Sequence, residues 1–227
     1  MRIPAVIFDL DGTLVDSEPL YYEAGRRTLA AHGVTGFSWE RHLRFVGVGT
    51  EDTLRSLRAE YGLAAPVADL LAEMDGHYLA LAPDAALLDG AVALARRLAA
   101  AGHPLAVASG SSRAAIDAAL AGSGLAPLFG AVVSAQEVDR GKPAPDVFVE
   151  AARRLGADAA HCVVVEDSPP GVRAAAAAGM RCVAAPSVPA RAGDEVFASV
   201  GLLFAGGPAA FDARAAFDWI TGGPRPV

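Results

Sequence analysis

Val6-Ile7-Phe8-Asp9-Leu10-Asp11-Gly12-Thr13-Leu14 is the stretch on which the reading of the whole chain turns. A short apolar, β-prone run of this kind reads as a buried strand. It stops at two aspartates one residue apart, and Gly12 permits a tight turn after them. Two carboxylates therefore stand where a strand meets a loop, the edge at which open α/β sheets place their chemistry.

Outward from this run, short apolar segments recur at residues 3–8, 104–108, 131–134, 162–165 and 181–184. Ala-rich helical patterns separate the later ones, at 90–101, 112–120, 146–155 and 169–178. Strand–helix alternation predicts an α/β fold with a parallel sheet, right-handed crossovers and helices on both faces. One interval breaks the rhythm. Between residues 16 and 84 no strand pattern is found, and 17–32, 39–45, 50–61 and 67–82 read as helices. The expected organisation is a core formed by residues 1–15 and 86–227, with an inserted all-α cap domain at 16–85. Two linkers, near 14–17 and 83–89, would form a hinge; the other reading is a helical bundle packed rigidly on the sheet. A last helix is expected at 209–220, followed by a frayed tail.

Composition narrows the classes. The 227 residues allow one or two domains, and 53% hydrophobic content is ample for a core. A net charge of −7 argues against nucleic acid and anionic membrane as partners. No apolar run approaches the ~18 residues of a membrane span. The N-terminal run is too short for a signal peptide and meets Asp9 at once. Cys162 and Cys182 are then expected as free thiols with a packing role in a cytoplasmic protein. Arg supplies the positive charge throughout except for a single lysine, Lys142. That lysine is either chance in an Arg-rich chain or a place that needs a compact ammonium.

Four strand ends carry chemistry-bearing groups: Asp9 and Asp11, Ser109-Gly110-Ser111-Ser112, Gly141-Lys142-Pro143 after a short loop, and Glu166-Asp167-Ser168. In a parallel sheet these ends share one edge. Asp9, Asp11, Glu166 and Asp167 are four acids facing one lysine, and two unit charges ~4 Å apart repel by about 4 kcal/mol at an effective dielectric near 20. Such a cluster needs a cation or raised pKa values. The donors are all hard oxygens, which favours Mg²⁺ over zinc or copper. The Ser109–Gly110 turn offers backbone N–H groups and a hydroxyl to a phosphate; the same Ser-rich run also reads as a helix N-cap. Ser168-Pro169 reads as an N-cap with proline at the first helical position. A carboxylate is nucleophilic at neutral pH without a base, so Asp9 could attack phosphorus while Asp11 handles the proton.

Asp-Leu-Asp-Gly-Thr-Leu, then Ser109 after a strand, Gly-Lys-Pro, and Glu-Asp-Ser-x-x-Gly, in this order, resemble the haloacid dehalogenase (HAD) superfamily over residues 5 to about 184. The resemblance implies a Rossmann-like, three-layer α/β/α core with a helical cap. It implies Asp9 as nucleophile, Asp11 as acid/base, and Ser109, Gly110 and Lys142 around the phosphate. Asp9 and Asp167 are the implied Mg²⁺ ligands, with Glu166 as their outer partner; Asp11 is a third candidate ligand, and if it offers only its backbone carbonyl its carboxyl stays free for proton work. Val15-Asp16-Ser17-Glu18-Pro19-Leu20 and Lys-Pro-x-Pro-Asp-x-Phe are similar to the β-phosphoglucomutase-like phosphatase branch.

Within the superfamily the residues separate the branches. Asp11 is present, against a dehalogenase, and the cap has no lysine, against a phosphonate hydrolase using a Schiff base. The mutases carry an arginine in a Gly-Val-Ser-Arg-Glu-Asp run where this chain has Gly47-Val48-Gly49-Thr50-Glu51-Asp52, and a histidine where Tyr21 aligns. Thr50 cannot supply charge for a second phosphate; it is read either as a substrate contact or as a cap for the following helix. Tyr21, Thr50 and Ser111 are the candidate substrate contacts. The expected activity is Mg²⁺-dependent hydrolysis of a small phosphorylated metabolite, a sugar or polyol phosphate, through an aspartyl-phosphate. A sugar phosphomutase and a non-catalytic, receiver-like binder are the alternatives.

Overall fold

The computed structural model of the chain describes residues 3–46 and 48–222. The sequence begins with β1 (Ala5–Phe8) and the two-residue β2 (Val15–Asp16). Four helices follow: α1 (Glu18–Ala31), α2 (Trp39–His42), α3 (Thr50–Tyr61) and α4 (Val67–Leu81). A second two-residue strand, β3 (Ala86–Leu87), closes this interval. Helix and strand then alternate through α5 (Asp89–Ala100), β4 (Leu105–Ser109), α6 (Arg113–Ser123), β5 (Ala131–Ser134), α7 (Asp146–Arg154), β6 (Cys162–Glu166), α8 (Pro169–Ala177), β7 (Arg181–Ala184), β8 (Leu202–Leu203) and α9 (Ala213–Gly222).

Six of the strands form one parallel sheet in the order β5-β4-β1-β6-β7-β8. β1 lies inside it, paired with β4 and β6, and all four of its residues are buried. The continuous apolar run is explained by this position, because both faces of the strand are covered. Side chains alternate between those faces. Val6 and Phe8 enter a core with residues of α5, α6 and α9, while Ala5 and Ile7 enter one with residues of α7 and α8. This is the Rossmann-like, three-layer architecture that the alternation and the family resemblance together lead one to expect.

The expected strands all form, with ends moved by no more than two residues. Three short ones escaped the pattern. β2, β3 and β8 are two residues each, too short for any periodicity to be read. The helix expected at 39–45 is split into α2 and a 3-10 turn at Leu43–Phe45. The last helix starts at Ala213 and not at 209: Pro208–Ala210 forms a 3-10 turn, and Asp212 Oδ1 accepts the N–H groups of Arg214 and Ala215. The tail expected to fray, residues 223–227, lies outside the described residues.

The four-helix insertion buries a core of its own, with Leu29, Leu54, Leu57, Leu70, Met74 and Tyr78 at its centre. Where the chain leaves and re-enters the sheet, β2 pairs antiparallel with β3, Val15 against Leu87 and Asp16 against Ala86. Leu88 N–H also donates to the Leu14 carbonyl at 3.0 Å. Both cysteines are free and buried, and burial pushes the Cys162 thiol up to about 11, so it is a packing group and not a nucleophile. Among the described residues no helix is long and apolar enough to cross a membrane.

The insertion also rests on α6. A Cβ at Gly122 would stand 2.7 Å from the Pro83 carbonyl oxygen and 2.8 Å from its Cα. Ala in place of Gly inside a helix ordinarily stabilises by up to about 1 kcal/mol. Gly122→Ala is expected to do the reverse and lower the thermal midpoint by a few degrees, about 1–3 kcal/mol of overpacking. A raised midpoint in a thermal melt would contradict this packing.

Candidate active site

The edge formed by the carboxyl ends of β1, β4 and β6 gathers the expected groups. Asp9 follows β1 directly, and its N–H donates to the Val165 carbonyl of β6 at 2.9 Å, so the nucleophile candidate is anchored to the sheet. Gly12 turns the chain with φ +76°, and a Cβ there would run into the Asp167 carboxylate. Only glycine satisfies both the backbone and the space.

Lys142 is the centre of this edge. Its Nζ donates to Asp9 Oδ1 at 2.5 Å and to Glu166 Oε1 at 2.7 Å, with both carboxylates buried and the lysine largely so. Burial works against the ammonium charge, but Asp9 and Glu166 outweigh it and push the Lys142 pKa up. The other oxygen of Glu166 accepts from the N–H of Asp167 (2.7 Å), the N–H of Ser168 (2.6 Å) and Ser168 Oγ (3.0 Å). Both of its oxygens are thus engaged, and the residue holds its neighbours in place. Ser168 in turn accepts from Gly171 N–H at 3.2 Å and caps α8 as expected.

Asp9, Glu166 and Asp167 each offer a carboxylate oxygen, and these lie within 4.8 Å of one another. Burial pushes Asp9 up to about 8; Lys142 pulls the other way, and the charges of Glu166 and Asp11 add to the rise. Burial raises Asp167 as well, followed by Glu166 and Asp9. The rise at both Asp9 and Asp167 marks a deficit of positive charge. Hard oxygen donors with such a deficit fit a divalent cation of the Mg²⁺ or Ca²⁺ kind.

Asp11 is not in that cluster. Its Oδ2 accepts from Ser111 Oγ at 2.6 Å and Ser109 Oγ at 3.0 Å, and its Oδ1 from Tyr78 Oη at 3.4 Å. Of the expected metal ligands, the Asp11 carboxylate is therefore set apart from the other two. Ser109 is fully buried; its hydroxyl also accepts from Ser111 N–H, so it positions Asp11 and the loop. Of the two readings of the Ser-rich run, the helix N-cap is present in the structure. Gly110 and Ser111 face the cavity, while Ser112 accepts from Ala115 N–H at 3.3 Å and caps α6.

A cavity of about 280 Å³ opens above Asp9 and reaches into the helical insertion. Tyr21 lines it, stacks on Tyr78 with ring centres 4.3 Å apart, and lies 2.6 Å from Ser111 Oγ. Since the Ser111 hydroxyl spends its hydrogen on Asp11, Tyr21 is the donor in that contact. Thr50 also lines the cavity, but it does not cap α3: the N-cap is Gly49, and Thr50 is the first helical residue. Gly47, in the loop beside it, lies outside the described residues.

Three features were not read from the sequence. Tyr78 looked like any aromatic on the buried face of a helix, and only the fold shows its hydroxyl at Asp11. His42 and Glu18 meet at 2.8 Å across 24 residues and line the cavity together. The Tyr21–Ser111–Asp11 chain joins the insertion to the core, which no spacing along the chain reveals.

The family model for haloacid dehalogenase-like hydrolases matches residues 3–179. The chain belongs to this hydrolase family. It is 37% identical over 187 residues to a bifunctional riboflavin kinase/FMN phosphatase of Arabidopsis thaliana, a match covering 81% of this chain and 48% of that protein. The chain thus spans about half the length of that relative. It is 36% identical to the fructose-1-phosphate phosphatase YqaB of Escherichia coli, over 80% of this chain and 96% of the other. Among solved structures, CbbY of Rhodobacter sphaeroides in complex with xylulose-1,5-bisphosphate superposes with a TM-score of 0.79 at 29% identity. That match covers 93% of this chain and 100% of CbbY.

Removing Lys142 would leave Asp9 and Glu166 buried without a cation. Lys142→Ala is expected to cost about 3–5 kcal/mol at pH 7 in urea unfolding. The deficit should widen as pH rises past about 8, because Asp9 then gives up the proton that relieves the unpaired charge. A variant as stable as the parent at pH 7 would contradict the bridging role.

Proposed function

We propose that the protein is a Mg²⁺-dependent phosphatase that hydrolyses a small phosphate monoester, a sugar or polyol phosphate, through an aspartyl-phosphate at Asp9. The observation that carries this reading is the separation of two aspartates at one strand end. Asp9 is bound to Lys142, and Asp11 is held by hydroxyls away from the acidic cluster. A pair of carboxylates in unlike environments is what distinct nucleophile and acid/base roles require.

In this reading Lys142 and the N–H group of Gly110 draw in the phosphate. The free oxygen of Asp9 attacks phosphorus, and the carboxyl of Asp11 gives its proton to the leaving oxygen. Asp11 then takes a proton from water, which attacks the phosphorus of the acyl phosphate and frees Asp9. Tyr21, Ser111 and Tyr78 hold Asp11 in line through both steps. Asp9, Asp167 and the backbone carbonyl of Asp11 would hold Mg²⁺, which supplies positive charge at the phosphoryl oxygens. Residues 16–85 act as a cap over a core of 1–15 and 86–227, with the β2–β3 ribbon as its hinge. Relatives that are named sugar-phosphate phosphatases support the substrate class. A mutase must hold a second phosphate, and among the described residues lining the cavity Lys142 is the single lysine or arginine.

Asp9→Asn keeps the shape of the side chain and removes the nucleophile. With Mg²⁺ present it should lower phosphate release from p-nitrophenyl phosphate on the order of a thousandfold or more. Activity retained in full contradicts the reading.

Stability tests the cation separately. The raised pKa values of Asp9 and Asp167 mean that the folded chain binds more protons than the unfolded one between about pH 4 and 8. Their contribution to stability is therefore present in acid and lost as pH rises across that window. Mg²⁺ should raise the thermal midpoint more at pH 8 than at pH 5, and Asp167→Asn should blunt the response. An equal rise at both pH values would place the cation elsewhere.

A further inference from the structure

The cavity above Asp9 changes character along its length, and the helices give the scale. On α1 it is lined by Glu18, Tyr21 and Gly25, and on α3 by Thr50, Thr53 and Leu57. Each set is spaced by three and four residues and so shares one helix face, spanning ~10 Å at 1.5 Å per residue. Both faces run in the same sense. The ends near the core are polar, and the far ends are Gly25 and Leu57. α4 repeats the pattern in reverse: Tyr78 reaches Asp11, while Met74, one turn earlier, lines the far end. Phe37 closes it.

Gly25 is the residue that leaves this end open. It is buried in the middle of α1, where glycine costs helix stability relative to alanine. A Cβ there would meet only Met74 Cε at 3.7 Å and Phe37 Cε1 at 3.8 Å, ordinary contacts, so packing does not demand glycine. At the polar end, the His42–Glu18 pair offers hydrogen bonds beside the site of reaction. A leaving group that is polar throughout would strand its distal hydroxyls among Leu57, Met74 and Phe37.

Taking the reaction to be the phosphate-ester hydrolysis proposed above, we infer that the leaving group is amphipathic. Its hydroxyl-bearing segment lies next to Glu18, His42 and Thr50, and its apolar end fills the pocket formed by Gly25, Phe37, Leu57 and Met74. The apolar end is uncharged, since among the described residues lining it none carries a positive charge to balance a second phosphate.

The test is a series of straight-chain alkyl phosphates from ethyl to hexyl, assayed with Mg²⁺ for phosphate release. kcat/KM is expected to climb about fourfold for each methylene that enters the pocket. The diphosphate ester of hexanediol, of the same length, should react more slowly than hexyl phosphate. Gly25→Leu should collapse the hexyl-to-ethyl ratio toward one, and Gly25→Ala, which fits without movement, should lower it part of the way. Equal kcat/KM for ethyl and hexyl phosphate in the parent protein overturns the inference and leaves the phosphatase reading standing. Absence of release from every ester, p-nitrophenyl phosphate included, removes that reading and the inference with it.

Discussion

The ammonium of Lys142, held between Asp9 at 2.5 Å and Glu166 at 2.7 Å, is the interaction on which the site depends. A buried charge pair is maintained only when geometry and further hydrogen bonds offset the loss of water. Here the parallel sheet provides the geometry, because β1 and β6 are adjacent and their ends deliver Asp9 and Glu166 side by side. The start of α8 supplies the hydrogen bonds, since Glu166 is saturated by the backbone of Asp167 and Ser168. Gly171 completes the arrangement, for a Cβ at that position would occupy the space of the Glu166 carboxyl. Strand pairing, helix capping and one glycine thus converge on the placement of a single positive charge.

That charge is fewer than the acids around it. Among the described residues no ammonium or guanidinium is paired with Asp167, and burial raises its pKa together with that of Asp9. The imbalance is what makes the edge fit both a hard cation and an anionic phosphate. Asp11 escapes it by being drawn to the other side by Ser109, Ser111 and Tyr78. Two of the groups in contact with Asp11 and Ser111, Tyr78 and Tyr21, come from the helical insertion. The proton-handling candidate is therefore tied to the insertion, whereas the nucleophile candidate is tied to the sheet.

How legible each part was follows from the range of its interactions. β1 was plain because both faces of a central parallel strand are covered, leaving an uninterrupted apolar run that ends at Asp9. The core helices were plain for the same local reason. β2, β3 and β8 were not, since two residues carry no period, and they form only because a partner strand lies beside them. Lys142 stood out as the single lysine, and the Glu166-Asp167-Ser168 run carried its own N-cap signature. Tyr78, His42 and the depth of the cavity were invisible, because each depends on how helices far apart in the chain pack. Thr50 shows the limit within one element: a threonine at a helix start suggested a cap, but the backbone places the cap at Gly49.

The measurement that bears most directly on the role of Asp9 is chemical trapping of the phosphorylated enzyme. The protein is quenched during turnover of a phosphate monoester with Mg²⁺ and treated with borohydride, which reduces an acyl phosphate to an alcohol. Peptide mass spectrometry then locates the modified residue. Conversion of Asp9 to homoserine, dependent on substrate and absent at Asp11 and Asp167, is the result expected of a covalent aspartyl-phosphate. Conversion at another residue, or none while phosphate is being released, would contradict it.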